Sequence, residues 1–312
     1  MIRHRLFTEK CLTRLVAGFV AVVLLSVEMS AQAPLGFRRA SFLTDISGLA
    51  WIDGDRFLAV HDAKADDEKL DPRISILYLP SNDTGIRFRS RSLRYRGELS
   101  NDLESIAAIP GTNQYLLCES GDSDFDGSDD ELRIYKVEVV RNSVRILDRI
   151  NWPAPIFNVE ATTIGKLGDA YVFIYAERAE GEPTTEVNWA PFNPNDLTFG
   201  EFQSVTYENP DPDSFNRAIV GFSLSSDNEI YSVASYDPDV DNGPFAGGVY
   251  RIGVLEDDGG PVITLYDDPV LEGIIDGFKS ESIAIRETQA DGLEIFVGFD
   301  DENFGGTIRQ MP

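Results

Sequence analysis

Cysteine and histidine are almost missing from this chain of 312 residues. Each occurs twice, and Cys11 and His4 fall in a segment that we expect to be removed. The remainder keeps Cys118 and His61, which excludes an internal disulfide and a histidine-ligated zinc site. A Ser-His-Asp hydrolase would have to use His61, but the sequence has no G-x-S-x-G turn. We therefore interpret His61 as a loop-packing residue.

Positive charge is also scarce, because 27 basic residues face 53 acidic residues and the net charge is −26. The first 33 residues hold four basic and two acidic side chains, so the rest of the chain carries −28. Such a surface repels nucleic acid and anionic membranes and attracts divalent cations. We expect no nucleic-acid partner, and no membrane partner once the N-terminal segment is removed.

A long apolar run occurs near the N-terminus, from Leu15 to Val27. Basic residues precede it and Ala31-Gln32-Ala33 follows it, which is the order of a secretory signal. The run is too short to indicate a retained membrane anchor. We predict a signal peptide over residues 1–33, cleaved after Ala31 or Ala33, and a secreted or periplasmic protein with one domain over 34–312.

A unit of two apolar strands joined by a turn recurs along the rest of the chain. Its copies start 56 to 61 residues apart, at Ser47, Glu104, Glu160, Val220 and Glu281. Short strands with a period in this range are typical of a β-propeller, in which one four-stranded blade is one repeat. The sequence predicts an all-β, five-bladed β-propeller, with six blades as the alternative. The last repeat supplies three strands, so we expect the N-terminal strand, residues 38–43, to close it.

The strand starts also predict a functional site, because the first strand of each propeller blade lines the central channel. Glu104, Glu160 and Glu281 should meet at one mouth of the channel, with Ser47 at the equivalent place in blade one. Carboxylates gathered there repel each other unless they are paired or bind a cation. We take the three glutamates as candidate catalytic residues. The alternative is that they only accept hydrogen bonds from backbone amides of the neighbouring blade.

Three basic residues are expected near the same mouth. They are Arg178, which follows a second strand, Arg217, which precedes blade four, and Lys279, which precedes Glu281. We take them as candidate substrate-binding residues that could clamp a phosphate. Equally, they could neutralise the glutamates.

The loop after the second strand of blade two predicts a calcium site. It reads D-x-D-x-D-G-x-x-D, and oxygen ligands at this spacing suit calcium. Its candidate ligands are Asp122, Asp124, Asp126, Ser128 and Asp130, and Ser47 is a further candidate at the channel. A solvated acidic loop is the alternative. Asp237 to Gly243 could form a weaker second site, whereas Asp62 and its acidic neighbours are expected to be a solvated face.

The phrase Glu104-Ser105-Ile106-Ala107 leads to a second strand that ends in Glu119, and Glu160-Ala161 leads likewise to Glu177. This pattern resembles the secreted bacterial propellers called phytase-like, or esterase-like phytase, domains. Ser47 and the repeated glutamates are also similar to the five-bladed calcium-activated nucleotidases, although Val220 departs from that ligand set. The resemblance implies a calcium-dependent phosphoric ester hydrolase that acts at the channel mouth.

Two other functions stay open at this point. One is a non-catalytic, calcium-stabilised binding propeller that presents its acidic face to a protein or a glycan. The other is a carboxylate-based glycosidase, because paired acids on five-bladed propellers also hydrolyse glycosidic bonds. Exposed aromatic side chains beside the glutamates would favour the glycosidase.

Overall fold

The computed structural model describes residues 43–63, 72–80, 86–91, 94–95, 98–121, 132–179, 181–240, 242–289, 292–300 and 305–312. The predicted signal segment lies outside this part of the chain, and so does the predicted calcium loop from Asp122 to Asp130. All secondary structure in the described ranges is β-strand, apart from turns and bends. In the same ranges, no helix is long and apolar enough to cross a membrane.

The strands form five antiparallel sheets that follow the chain in order. Blade one contains β1 (Gly48–Asp53), β2 (Arg56–Val60), β3 (Ile74–Tyr78) and β4 (Arg87–Arg91). A two-stranded sheet, β5 (Arg94–Tyr95) and β6 (Glu98–Leu99), follows it. Blade two contains β7 (Leu103–Ala108), β8 (Gln114–Glu119), β9 (Arg133–Val140) and β10 (Ser143–Asn151).

The other three blades repeat this plan with local changes. Blade three contains β11 (Val159–Leu167), β12 (Ala170–Glu177), β13 (Thr184–Asn193), the short β14 (Thr198–Phe199) and β15 (Gln203–Glu208). Blade four contains β16 (Arg217–Leu224), β17 (Glu229–Tyr236), β18 (Ala246–Asp257) and β19 (Pro261–Asp276). Blade five contains β20 (Ser280–Thr288), β21 (Gly292–Phe299) and β22 (Thr307–Gln310).

The first strands of the blades close into a ring. Each of β1, β7, β11, β16 and β20 contacts the next, and β20 contacts β1. The five-bladed β-propeller predicted from the repeat spacing is therefore confirmed, and the six-bladed alternative does not hold. Blade five is joined to the start of the described chain, since the Gly306 amide donates to the Leu43 carbonyl oxygen at 2.8 Å. Residues 38–42 of the predicted closing strand lie outside the described part.

The apolar core consists of five clusters, one at each boundary between neighbouring blades. Strand residues alternate between the two faces of a blade, so both faces need an apolar neighbour. One cluster packs Phe57 and Leu77 of blade one against Phe296 of blade five. Another packs Trp189 of blade three against Tyr250 of blade four.

Candidate active site

Each of the three repeated glutamates occupies a β-bulge at the start of a first strand. In blades two, three and five, the pairing between the first and second strands skips one residue on the first strand. The skipped residues are Glu104, Glu160 and Glu281. A bulge leaves the extra residue outside the ladder and re-aims its side chain. The same local geometry therefore recurs at the same end of three first strands.

The five strand starts line one channel, as the repeat spacing predicted. Its lining includes Ser47, Glu104, Glu160, Val220 and Glu281. Inside the channel the free volume is only about 10 Å³, which is roughly the space for one water molecule. A substrate larger than water can therefore meet these side chains only at the mouth.

Glycine makes the channel this narrow at two of the five blade boundaries. A Cβ at Gly48 would lie 3.0 Å from the Ser105 Cα atom, and one at Gly221 would lie 3.0 Å from the Ser282 Cα atom. Few Cβ atoms lie this close to backbone, so a side chain at either position would require the neighbouring first strand to shift by a few tenths of an ångström.

Glu104 lies in the most acidic part of the mouth. Burial and the carboxylates of Asp102, Glu160, Asp62 and Glu281 raise the pKa of Glu104 well above its ordinary value. Of the described arginines and lysines, none forms an ion pair with it. The surroundings of Glu104 therefore favour its protonated form over its charged form.

Glu160 is only 4% exposed and has a basic partner. Arg178 Nε lies 3.2 Å from Glu160 Oε1. The Arg178 amide donates to the Asn158 carbonyl oxygen at 2.7 Å, which fixes the start of β11 to the end of β12. A guanidinium beside a buried carboxylate compensates its charge.

Glu281 belongs to a buried cluster of two basic and three acidic side chains. Arg217 contacts Glu281 at 3.1 Å and Asp237 at 2.8 Å, while Lys279 lies 3.5 Å from both and 3.0 Å from Asp300. Burial raises the pKa of Glu281 to about 7, although Arg217 and Lys279 act in the opposite direction. Burial also opposes ionisation of Asp237, but the two basic groups outweigh it and lower the pKa of Asp237.

The two glutamates that end second strands have a different, structural role. Glu119 is fully buried and accepts hydrogen bonds from the Asn101 and Arg133 amides, from Arg133 Nε and from the Tyr135 hydroxyl. Burial raises the pKa of Glu119 to about 7. Glu177 accepts from the Phe157 amide at 3.0 Å. Glu119 and Glu177 thus cap backbone amides of their own blades, and the capping alternative considered for the mouth glutamates stays a prediction.

His61 is enclosed and makes two contacts. Its Nδ1 atom lies 2.5 Å from the Asp45 carbonyl oxygen, and its Nε2 atom lies 2.6 Å from Ser75 Oγ. Burial lowers the pKa of His61 to about 4, so the ring is neutral at physiological pH. These are the contacts of a packing residue.

Sequence reasoning missed the acidic neighbours of Glu104. The carboxylate oxygens of Asp62, Asp102 and Glu104 lie within 4.8 Å of one another. Asp62 was expected on a solvated face, but the end of β2 brings it to the mouth beside β7. The signal in the sequence was the position of Asp62 directly after a second strand and of Asp102 two residues before Glu104.

The structure places the three predicted basic residues at the mouth and the predicted ligand Ser47 in the channel lining. Arg178, Arg217 and Lys279 do lie at the mouth, where they form the ion pairs described above, so their role in binding substrate stays a prediction. Ser47 lines the channel and is 5% exposed. In the predicted second calcium loop, Asp237 to Gly243, the Asp237 carboxylate already has partners. It forms an ion pair with Arg217 and accepts a hydrogen bond from the Asp239 amide.

An exposed aromatic side chain lies in the loop that leads to Glu160. Phe157 is 54% exposed and precedes Glu160 by three residues, in the loop that enters β11. The amide hydrogen bond to Glu177 fixes its backbone. The loop before Glu160 thus carries an exposed apolar ring.

Comparison with known proteins identifies the fold. No family model matches the sequence, and no curated protein matches it either. Among solved structures, a thermostable family-43 glycoside hydrolase is similar with a TM-score of 0.53 and 14% identity, covering 86% of this chain and 88% of that one. An endo-1,4-β-xylanase from Bacteroides thetaiotaomicron has a TM-score of 0.51 and 10% identity over 86% and 90% of the two chains. An endo-arabinase from the same organism has a TM-score of 0.51 and 9% identity over 88% and 94%.

These similarities correct two predictions. The resemblance to phytase-like and nucleotidase propellers was wrong, because the structural neighbours are glycoside hydrolases. The predicted phosphoric ester hydrolase class was wrong for the same reason. The repeated Glu-Ser and Glu-Ala phrases reflect a bulged first strand, and that backbone feature carries no information on the substrate. Calcium binding and secretion remain predictions.

Proposed function

We propose that the protein is a glycosidase that uses two carboxyl groups at the acidic mouth of the channel. The observation that supports this proposal most directly is the division among the three bulged glutamates. Glu160 and Glu281 each have basic partners, whereas the neighbours that act on Glu104 are all acidic. Glycoside hydrolysis needs one carboxyl group that is protonated and another that is charged.

Glu104 is the proposed general acid. Its raised pKa favours the protonated form, and the proton passes to the oxygen of the leaving sugar as the glycosidic bond breaks. Glu160 is the proposed partner, which either attacks the anomeric carbon or removes a proton from the attacking water. Its contact with Arg178 compensates the charge that this role requires. Glu281 is the third carboxyl group of the mouth, and its contacts with Arg217 and Lys279 assign it to holding the mouth together and not to the proton transfer.

Phe157 and the closed channel limit the substrate. The exposed ring of Phe157, three residues before Glu160 in the chain, would pack against the apolar face of a sugar, which is a common role for aromatic side chains in binding sites. The substrate must reach the mouth from outside, because the channel has no room for a sugar. The similar structures include a xylanase and an endo-arabinase, so xylan and arabinan are the first polymers to test.

The test is hydrolysis of a panel of aryl glycosides and pentose polymers by the wild-type protein, Glu104→Gln and Glu160→Gln. Glu104→Gln should lower kcat/KM by about 100-fold or more on substrates with poor leaving groups. Its effect should be much smaller on aryl glycosides whose leaving group needs no proton. Glu160→Gln should lower activity on both substrate types.

Glu138→Gln is the matched control, because Glu138 pairs with Arg145 on the outer part of blade two, away from the channel. It should hydrolyse every substrate at the wild-type rate. The proposal is wrong if the wild-type protein cleaves no glycoside in the panel, or if Glu104→Gln and Glu160→Gln remain as active as the control.

A second candidate is a non-catalytic, calcium-stabilised binding propeller. It is favoured by the oxygens of Asp62, Asp102 and Glu104, whose mutual separation of up to 4.8 Å is about twice a calcium–oxygen distance of about 2.4 Å. A cation held there would keep Glu104 ionised and remove its acid role. Calcium should then raise the melting temperature of the wild-type protein but not of Asp62→Asn, and no glycoside should be hydrolysed. Hydrolysis that persists in a chelator would exclude this candidate.

A further inference from the structure

The end of the channel opposite the acidic mouth holds a second cavity. The glutamates stand at the starts of the first strands, whereas this cavity is lined by residues at the ends of the same strands and in the turns that follow them. Its volume is about 440 Å³, and residues from all five blades contribute to it. The polar and aromatic side chains of its lining are Trp51, Lys166, Ser225, Ser226, Asn228 and Glu287.

An adjoining cavity extends this space outward. It has a volume of about 460 Å³ and shares Ser225 and Glu287 with the first one. Each cavity has the size of a small-molecule site, for which about 300 to 1,000 Å³ is usual. Together they form a groove that leads from the channel axis across the boundary between blades four and five.

Hydrogen bonds between blades hold this lining in place. The Ser226 amide donates to Glu287 Oε1 at 3.0 Å, and Asn228 Nδ2 donates to the Lys166 carbonyl oxygen at 3.2 Å. Asn228 has a φ of 61°, in the left-handed region, and it closes the turn between β16 and β17. The other carboxylate oxygen of Glu287 and the remaining lone pairs of the turn residues can accept hydrogen bonds from a ligand. Because the hydrogen bonds between blades already fix these groups, the site is preformed.

The lining indicates the class of ligand. The charged side chains of the axial cavity are one lysine and one glutamate, and the adjoining cavity adds Asp227 and Glu229, of which Glu229 forms an ion pair with Arg251. Trp51 supplies an aromatic wall, and serine, asparagine and glutamate supply hydrogen-bonding groups around it. An apolar ring beside several such groups fits a neutral, hydroxyl-rich molecule. An anionic ligand would be repelled by the net charge of −26.

We propose that this groove is a second carbohydrate-binding site, which takes a neutral oligosaccharide on the face opposite the acidic mouth. The ligand class follows from the lining of the groove itself, so a failure to hydrolyse glycosides would not affect it. Binding here would hold a polymer on the protein without exposing it to the three glutamates.

Tryptophan fluorescence can test the site in the full chain. Of the three tryptophans, Trp152 and Trp189 are 8% and 4% exposed, whereas Trp51 is more exposed and lines the groove. Titration with neutral xylo-oligosaccharides and arabino-oligosaccharides should therefore give a saturable change in emission. Glu287→Ala should weaken this binding by about tenfold, because it removes a hydrogen bond to a charged group.

Two controls separate this site from the mouth. Glu256→Ala changes an exposed glutamate of blade four outside the groove and should bind like the wild type. Glu160→Gln changes the mouth and should leave the emission change intact. The proposal fails if no oligosaccharide gives a saturable response, or if the response survives in Glu287→Ala and disappears in Glu160→Gln. A response to oligolysine alone would also overturn it, since the groove would then be a cation site.

Discussion

Replacement of Arg217 by methionine should be among the most destabilising single changes in the propeller. Arg217 contacts two carboxylates, and the side chains of Arg217, Asp237 and Glu281 are 7%, 6% and 8% exposed. Methionine keeps the apolar stem but removes the charge. The cluster with Lys279 and Asp300 would then hold three acidic groups against one basic group. Removal of one partner from a buried ion pair costs about 3–5 kcal/mol of unfolding free energy.

Arg251→Met is a matched control, because Arg251 also contacts two carboxylates. It lies 2.6 Å from Glu229 and 3.1 Å from Glu272, but these three side chains are 28% to 30% exposed. Solvent screens such a pair, so its loss should cost only about 0.2–1 kcal/mol. The comparison holds the chemistry constant and changes the burial.

Urea unfolding at pH 5 and pH 8 measures both variants. The pKa of Glu281 in the folded protein is about 7, above its ordinary value of 4.5, so at pH 5 the group is mostly protonated in the fold. The cost of losing Arg217 should therefore be smaller at pH 5 than at pH 8, although the charge on Asp237 prevents it from vanishing. A loss below about 1 kcal/mol at pH 8, or one no larger than that of Arg251→Met, would refute this reasoning. So would a loss that is the same at both pH values.

Three further predictions use other parts of the fold. The pKa values of Glu119 and Glu281 in the folded protein are raised to about 7. The free energy of unfolding should therefore fall as the pH rises from about 4.5 to 7, by up to about 3 kcal/mol per group. Urea unfolding as a function of pH measures this fall, and a flat profile would contradict the prediction. Gly48→Ala should lower the free energy of unfolding by about 1–3 kcal/mol, because a Cβ there would lie 3.0 Å from backbone. Gly260→Ala is the control and should melt like the wild type, since a Cβ there has no atom within 4 Å. Burial raises the pKa of Cys118 to about 12, so a maleimide should label Cys118 in urea but not in the folded protein, as read by peptide mass spectrometry.

The ring of blades could be predicted from sequence because it depends on repeated local patterns. Short apolar strands and turns recur at a nearly constant spacing, and this spacing favoured five blades while six stayed open until the contacts between first strands closed the ring. The convergence of Glu104, Glu160 and Glu281 followed from the same repeat, since equivalent positions in a ring face one axis.

The partners of the glutamates could not be predicted in the same way. Whether Arg217 clamps a ligand or neutralises Glu281 depends on a distance of 3.1 Å between two blades, which no repeat encodes. The position of Asp62 beside Glu104 depends on how blade one meets blade two. The bulges were also missed, although the glutamate interrupts the strand alternation in each of the three repeats. The substrate class depends on such details, and this is why the resemblance based on repeats led to the wrong chemistry.

The cluster between blades five and one has a consequence for synthesis of the chain. Leu43, Phe57 and Leu77 pack against Ala284, Phe296 and Ile308, which are more than 200 positions further along. The apolar face of the first blade therefore stays exposed to solvent until almost the whole polypeptide has left the ribosome. Contacts between residues this far apart in sequence slow folding, and they prolong the time during which aggregation-prone apolar surface is exposed. A chain shortened by its last repeat would keep that face open permanently, and we expect it to be recovered as insoluble aggregate and not as a smaller ring.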